Sequence, residues 1–260
     1  MIKLDKLNLK NIAESLIDSF LESGEIAKKI SLEGPKITIK PDKTPVTNGD
    51  LAVDKILRNK IKKLTPNITI ISEETVMLQK KNTDNTFWLI DPIDGTREYI
   101  KKRTEYTLNA ALISELKPVL GVVYAPAKDR LFFSYGEGLA YEINGEKKKN
   151  LNCKKLNLNK IIGLTNSDIT PSEVLNIYKK YKVSETIKVS SSLKFCLLAA
   201  GEADIYAAKA RAFEWDIAAG HAVLVHAGGL VTTHDEKNFL YGKQNYKNLP
   251  IIARRDKNLA

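Results

Sequence analysis

The sequence predicts a mixed α+β and α/β protein built from two lobes. Three observations support this class: two long segments with apolar residues at helical spacing begin the chain, a series of short β-rich segments follows, and strand-like and helix-like segments then alternate. The change of pattern places an α+β lobe at residues 1–155 and an α/β lobe at residues 156–260. A chain of 260 residues is long enough for this arrangement.

The first helix is predicted over residues 8–30 and the second over residues 51–64. Apolar residues recur every three or four positions in both segments. We expect Asn48 or Asp50 to cap the second helix, because short polar side chains accept hydrogen bonds from the free N–H groups of a first turn. A turn-rich segment, KPDKTPVTNGD, separates the two helices.

Short β-rich segments predict the strands of a sheet in the first lobe. They lie at residues 68–71, 87–90, 107–113, 119–124 and 131–135. Because few helical segments separate them, we expect a mainly antiparallel sheet. The lysine-rich segment near residue 147 predicts a loop. Beyond it, the predicted elements are strands at 161–165 and 186–189 and helices at 171–181, 191–200 and 217–227.

Composition and charge narrow the classes of function. Hydrophobic residues make up 43% and charged residues 28% of the chain, as in soluble globular proteins, and acidic residues interrupt the apolar pattern of residues 8–30. We therefore expect a cytoplasmic protein without a transmembrane segment, with peripheral association with the inner face of the membrane left open. The net charge of +10 comes mainly from dispersed lysines, so we expect a small anionic partner and not a polynucleotide. Cys153 and Cys196 form no recognisable motif, which is typical of a reducing compartment.

The stretch WLIDPIDGT (88–96) places two carboxylates at the end of an apolar strand. An unpaired buried charge is costly, and a bound divalent cation would explain the pair. Asp91, Asp94 and the carbonyl of Ile93 form the hard-oxygen ligand set that Mg²⁺ prefers. Gly95 permits a tight turn, after which the N–H groups of Gly95 and Thr96 could bind an anion. The alternative is a surface turn with solvated aspartates.

Acidic residues also lie at the end of a second predicted strand and before a predicted helix. The segment IISEET (70–75) ends a strand with Glu73 and Glu74, and EWDIAAGHAVLVHAGG (214–229) places Asp216 before a helix of small residues. Carboxylates on three such elements are what a two-metal phosphoesterase site requires. A solvated loop at Glu73 and a plain helix cap at Asp216 are the alternatives, because spacing alone does not show that the three positions converge.

Four segments carry a resemblance to a known family. TPVTNGD, SEET, WLIDPIDGT and WDIAAGHAVLVHAGG resemble the inositol monophosphatase superfamily of lithium-sensitive, Mg²⁺-dependent phosphatases. The resemblance covers residues 44–229 and implies the layered α/β/α/β sandwich of the sugar phosphatases. It implies two or three Mg²⁺ ions held by Glu73, Asp91, the Ile93 carbonyl, Asp94 and Asp216. It assigns catalysis to Glu73 with Asp50 and Thr96, which orient the nucleophilic water, and phosphate binding to the N–H groups of Gly95 and Thr96.

The stretch SSLKFCLLAAGEADIY (191–206) resembles one branch of that superfamily, the 3′(2′),5′-bisphosphate nucleotidases of the CysQ type. This implies a hydrolase that converts adenosine 3′,5′-bisphosphate, a by-product of sulfate assimilation, to AMP and phosphate. Ser191 and Lys194 match a serine and a lysine that hold the nucleotide in that branch, and we expect Lys209 and Asp216 to contact the substrate as well. The segment AAKARAFEWD departs from the branch, which usually has an arginine and a Gly-Pro step before Trp-Asp.

The resemblance leaves two other functions and the oligomeric state open. A phosphatase for inositol-1-phosphate or another sugar or polyol phosphate would carry polyol-binding acids, whereas this chain has Lys209 at the position concerned. A non-catalytic nucleotide- or RNA-binding member would be expected to lack metal ligands, and every matched acid is present. The sequence does not decide between a monomer and a dimer.

Overall fold

A computed structural model describes residues 4–76, 84–153, 160–166 and 169–259 of the chain. Helices and two large sheets form successive layers, which confirms the predicted mixed, layered class. The predicted boundary between the lobes falls next to residues 154–159, which lie outside the described part, so the boundary stays a prediction. Within the described ranges, no helix is long and apolar enough to cross a membrane.

The first layer consists of α1 (Lys6–Glu33) and α2 (Asn48–Leu64), with a small hairpin of β1 (Ile37–Ile39) and β2 (Pro45–Thr47) between them. The prediction that Asn48 or Asp50 caps α2 is wrong. Thr47 is the cap, and its hydroxyl accepts hydrogen bonds from the N–H groups of Gly49 and Asp50. The Asp50 carboxylate instead accepts the Thr47 N–H at 2.8 Å, so the two residues form a capping box.

Among the described residues, the larger sheet has seven strands, which lie in chain order. They are β3 (Thr69–Ser72), β4 (Thr86–Asp94), β5 (Thr107–Ser114), β6 (Lys117–Ala125), β7 (Arg130–Ser134), β8 (Ala140–Asn144) and β9 (Lys147–Asn150). Only the β3–β4 pair among them is parallel, which confirms the mainly antiparallel prediction. The predicted loop near residue 147 is wrong: these lysines form the exposed edge strand β9, where charged side chains discourage pairing with other chains.

In the part of the chain that the structure describes, the smaller sheet has five strands in the order β11, β10, β12, β14, β13. They are β10 (Ile161–Thr165), β11 (Val183–Lys188), β12 (Ile205–Ala208), β13 (Leu230–Thr233) and β14 (Ile251–Arg254). Strands β10 to β12 are parallel to one another, and β14 runs antiparallel to both its neighbours. Strands β12, β13 and β14 were not predicted from the sequence.

Four more α-helices within the described ranges complete the layers: α3 (Thr96–Ile100), α4 (Ser172–Lys180), α5 (Leu193–Ala200) and α6 (Ala218–His226). Helices α1 and α2 cover one face of the larger sheet, α5 and α6 pack between the two sheets, and α4 covers the outer face of the smaller sheet. Helix α6 lies very close to β6, because a Cβ atom added at Gly121 would be 2.4 Å from the carbonyl oxygen of Ala219. One hydrophobic cluster thus joins residues from both predicted lobes.

Candidate active site

A cavity of about 530 Å³ opens where β4 ends and the segments before α5 and α6 begin. Its wall contains both acidic and basic side chains, namely Glu73, Asp91, Asp94, Glu98, Asp216, Arg97, Lys194, Lys209 and Arg211. Every site residue predicted from the sequence contributes to this wall except Asp50, which contacts the wall residue Thr96. The structure therefore brings the predicted residues together from segments far apart in the chain.

Three carboxylates form a compact cluster in the cavity. One carboxylate oxygen from each of Glu73, Asp91 and Asp216 lies within 4.8 Å of the other two. The parallel pairing of β3 with β4 produces part of this arrangement, because Ser72 is opposite Ile90 and the Glu73 N–H donates to the Ile90 carbonyl at 3.1 Å. The residues that follow this pair, Glu73 and Asp91, therefore face the same space.

Asp91 is buried inside β4 and does not lie on a solvated turn, which excludes the surface-turn alternative. Burial raises the pKa of Asp91 well above its usual value, and the negative charge of Glu73 raises it further. Burial and the charge of Asp94 do the same to the pKa of Asp216. Asp91 Oδ1 is enclosed and has no hydrogen-bond partner among the described residues. Such a cluster fits a divalent cation, which would neutralise the acids and coordinate the unpaired oxygen.

Asp216 is not the cap of α6. The cap residue is Ile217, which makes no side-chain capping bond, and Asp216 Oδ2 accepts the N–H of Phe213 at 2.9 Å. This hydrogen bond turns the carboxylate back toward the cavity. The alternative that Asp216 only caps a helix is therefore excluded.

Asp94 is the fourth acid of the site and is only partly buried. Burial raises its pKa to about 6, although the charge of Lys194 and the N–H of Ser192 favour the ionised form. Gly95 follows with φ of 92°, a conformation in which a side chain would be strained, and α3 starts at Thr96. The sharp turn returns the chain to the cavity directly after the carboxylate.

The hydroxyl of Thr96 connects the predicted metal site with Asp50. Thr96 Oγ1 lies 3.1 Å from the Ile93 carbonyl oxygen and 3.3 Å from Asp50 Oδ1. Asp50 is buried, and burial raises its pKa although Thr47 donates two hydrogen bonds to its other oxygen. A hydroxyl has one proton, so it can donate to only one of the two acceptors at a time, which leaves its oxygen able to accept from a water.

Lys40 is a site residue that the sequence reasoning missed. Its Nζ lies 2.9 Å from a carboxylate oxygen of Glu73 and 2.9 Å from one of Glu74. Burial alone would lower the pKa of Lys40, but the two carboxylates outweigh it and raise the pKa above its usual value. Burial raises the pKa of Glu74 to about 7, with Lys40 opposing this shift. The only sequence signal was that Lys40 begins the segment KPDKTPVTNGD, which ends at Asp50.

Lys194 supplies a buried positive charge to the cavity. It lies in the first turn of α5, its Nζ donates to the Ser191 carbonyl at 2.5 Å, and it sits 5.0 Å from the centre of the Tyr206 ring. Burial lowers its pKa to about 8, while Asp94 acts in the opposite direction. Ser191 holds the turn before the helix with φ of 60°, which is strained for a residue with a side chain. Lys209 also reaches the cavity wall, but its Nζ is 3.2 Å from Glu173 on the outer surface.

Three buried polar side chains join β5 to the start of α5. Ser192 Oγ donates to Asn109 Oδ1 at 2.5 Å, Asn109 Nδ2 donates to Thr107 Oγ1 at 3.3 Å, and Thr107 Oγ1 lies 2.9 Å from Ser192 Oγ. If the Thr107 hydroxyl donates to Ser192, each group in this ring donates once and accepts once. The ring fixes Ser192, whose main-chain N–H donates to Asp94.

Comparisons with known proteins agree with this geometry. Residues 6–257 match the model of the inositol monophosphatase family. The 3′(2′),5′-bisphosphate nucleotidase CysQ of Buchnera aphidicola is 38% identical over 207 residues, covering 79% of this chain and 77% of that protein. CysQ of Escherichia coli K12 is 36% identical over 201 residues, covering 76% and 79%. The crystal structure of CysQ from Bacteroides thetaiotaomicron superposes with a TM-score of 0.75 at 30% identity, covering 94% of this chain and 97% of that one.

Proposed function

The chain belongs to the inositol monophosphatase family, and on this premise we propose that it is a Mg²⁺-dependent phosphoric monoester hydrolase that converts adenosine 3′,5′-bisphosphate to AMP and phosphate. The observation that carries the proposal is that one cavity holds both a cluster of carboxylates and the buried cation Lys194. Its similarity to CysQ nucleotidases supports the choice of substrate. The proposed role is the recycling of this nucleotide in the cytoplasm.

The residues that would hold Mg²⁺ are Glu73, Asp91, Asp94, Asp216 and the Ile93 carbonyl. All are oxygen donors, which Mg²⁺ prefers. Burial, and after it the charges of neighbouring acids, raise the pKa values of Asp91, Asp94 and Asp216, so their ionised forms are costly without a cation. We propose two or three ions, because four carboxylates carry more charge than one divalent ion neutralises. When bound, Mg²⁺ supplies charge neutralisation for the phosphoryl oxygens, a lower pKa for a water, and stabilisation of the leaving oxygen.

The protein's own groups orient the attacking water. The Thr96 oxygen accepts a hydrogen bond from the water, and the Thr96 hydroxyl proton is directed toward Asp50. Asp50 has a raised pKa because it is buried, so it is better suited to take a proton than an exposed aspartate. The N–H groups of Gly95 and Thr96 bind the reacting phosphate, since the sharp turn at Gly95 exposes them to the cavity. Glu73 would help to hold the metal and would take part in catalysis.

Lys194 and Ser191 bind the second phosphate of the substrate. A buried ammonium group makes a charge-assisted hydrogen bond with a phosphate, and such bonds are stronger in a site that excludes water. Lys209 would have to leave its surface partner Glu173 to contact the substrate. Inositol-1-phosphate has only one phosphate, so it would leave Lys194 without a second phosphate to bind.

A panel of phosphate esters assayed for released phosphate tests this function. We expect adenosine 3′,5′-bisphosphate to give a higher kcat/KM than inositol-1-phosphate, fructose 1,6-bisphosphate or histidinol phosphate, and no release without a divalent cation. Faster turnover of inositol-1-phosphate would identify the protein as a polyol phosphatase. Nucleotide binding without release of phosphate from any ester would identify a non-catalytic member of the family.

A further inference from the structure

One side of the cavity wall is apolar and takes no part in the chemistry described above. The residues that form it are Phe213, which is half-buried, and Leu249, which is 52% exposed. We propose that these two residues, here called the apolar wall, are the subsite for the nucleobase of the substrate. The inference rests on the proposed nucleotidase function and identifies what this chain uses to distinguish a nucleotide from a sugar phosphate.

The apolar wall is rigid because two distant segments are joined behind it. The N–H of Asn248 donates to the Ala212 carbonyl at 3.0 Å, and the N–H of Glu214 donates to the Tyr246 carbonyl at 2.8 Å. The side-chain amide of Asn248 also donates to the Phe213 carbonyl at 2.5 Å. These bonds fix the segment that departs from the CysQ pattern, AAKARAFEWD, against the segment before β14.

The ring of Phe213 is held in one orientation by its neighbours. It stacks on Trp215 with ring centres 4.8 Å apart and an angle of 13° between the planes, and Trp215 in turn contacts Tyr246 at 5.8 Å. Trp215 therefore covers one face of Phe213, and the surface that Phe213 leaves exposed contributes to the cavity. A preorganised aromatic ring loses little entropy when a flat ligand stacks on it.

A nucleobase fits this wall better than the ring of a polyol. Each hydroxyl of an inositol needs a hydrogen-bond partner, and an apolar surface offers none, whereas a base presents a flat π-face. The wall is also attached to the metal site, because the N–H of Phe213 donates to Asp216. A nucleotide with its phosphate at the carboxylates can therefore reach the wall through its ribose. The cavity volume of about 530 Å³ lies in the range found for sites that enclose ligands of this size.

Binding of AMP and of ribose 5-phosphate tests the subsite, because these two ligands differ only in the base. Calorimetric titration in the presence of Mg²⁺ should show that the wild-type protein binds AMP more tightly. Phe213→Leu keeps an apolar side chain but removes the aromatic ring, and should weaken AMP binding about five- to a hundredfold, the usual range for one base–aromatic stack. Its binding of ribose 5-phosphate should change less than twofold. Phe213→Tyr keeps the ring and should bind AMP as the wild type does.

Leu249 has a matched control in Leu240, which is 41% exposed and lies outside the cavity wall. Leu249→Ala should weaken AMP binding, and Leu240→Ala should not. Equal affinity of the wild-type protein for the two ligands, or an equal loss of both in Phe213→Leu, would overturn the subsite. Hydrolysis of adenosine 3′,5′-bisphosphate by the wild-type enzyme is measured separately, so failure of the proposed substrate and failure of the subsite give different results.

Discussion

Replacing one of the site carboxylates should stabilise the metal-free protein and abolish catalysis. The variant Asp94→Asn is the clearest test of this. Burial raises the pKa of Asp94 from an ordinary 3.8 to about 6. One pKa unit corresponds to about 1.4 kcal/mol, so ionised Asp94 lowers the free energy of unfolding by up to about 3 kcal/mol above pH 6. Between pH 3.8 and about 6 the folded state binds the Asp94 proton more tightly than the unfolded state does. The free energy of unfolding therefore falls as pH rises through this range. Asparagine carries no charge and avoids this cost.

Thermal or urea unfolding in EDTA measures the effect. At pH 8 the Asp94→Asn protein should be more stable than the wild type by up to about 3 kcal/mol, which for a chain of this size is several degrees in Tm. The difference should shrink as pH falls through 6 toward 4. Asp18→Asn, at an exposed position of α1, is the matched control and should change neither stability nor activity. Lower stability of Asp94→Asn at pH 8 in EDTA would refute the cost assigned to the ionised carboxylate, and near wild-type activity at saturating Mg²⁺ would refute the assignment of Asp94 as a metal ligand.

Three further predictions concern the same site. LiCl should inhibit phosphate release where the same concentration of NaCl does not, because Li⁺ in a Mg²⁺ position has too little charge to stabilise the leaving oxygen. Equal inhibition by both salts would count against a site of this type. Lys194→Ala should lower kcat/KM for adenosine 3′,5′-bisphosphate about ten- to a hundredfold and should affect a monophosphate far less, because only the bisphosphate loses a charge-assisted contact. Equal losses with both substrates would show that Lys194 has only a structural role. Thr107→Val, which breaks the ring of Thr107, Asn109 and Ser192, should raise the Mg²⁺ concentration for half-maximal activity, and Thr107→Ser should not. A fall in Tm without that rise would show that the ring only supports the fold.

The sequence predicted Glu73 and Asp91 as candidate metal ligands because each follows an apolar, strand-like segment. The apolar pattern predicted the strands next to which the two acids lie, although β4 continues past Asp91 to Asp94. Their convergence with Asp216 could not be predicted in this way. It depends on α6 packing against β6 through Gly121, a contact between residues about a hundred positions apart.

Residues on turns and edges were predicted less well, since their partners come from elsewhere in the fold. Lys40 belongs to the site only because the β1–β2 hairpin carries it to Glu73. Thr47 takes the capping position because Asp50 is free to turn back and complete the capping box. The lysines of β9 form a strand because Tyr141 and its neighbours on β8 offer free backbone groups, which outweighs the weak strand preference of lysine.

Product analysis of adenosine 3′,5′-bisphosphate hydrolysis tests the central claim most directly. With Mg²⁺ present, we expect the wild-type enzyme to release one phosphate and leave 5′-AMP as the only nucleotide product, separable by chromatography from adenosine 3′-phosphate. The same reaction in EDTA, or with Asp91→Asn in saturating Mg²⁺, should leave the substrate intact. Accumulation of adenosine 3′-phosphate, or undiminished hydrolysis by Asp91→Asn, would contradict the account.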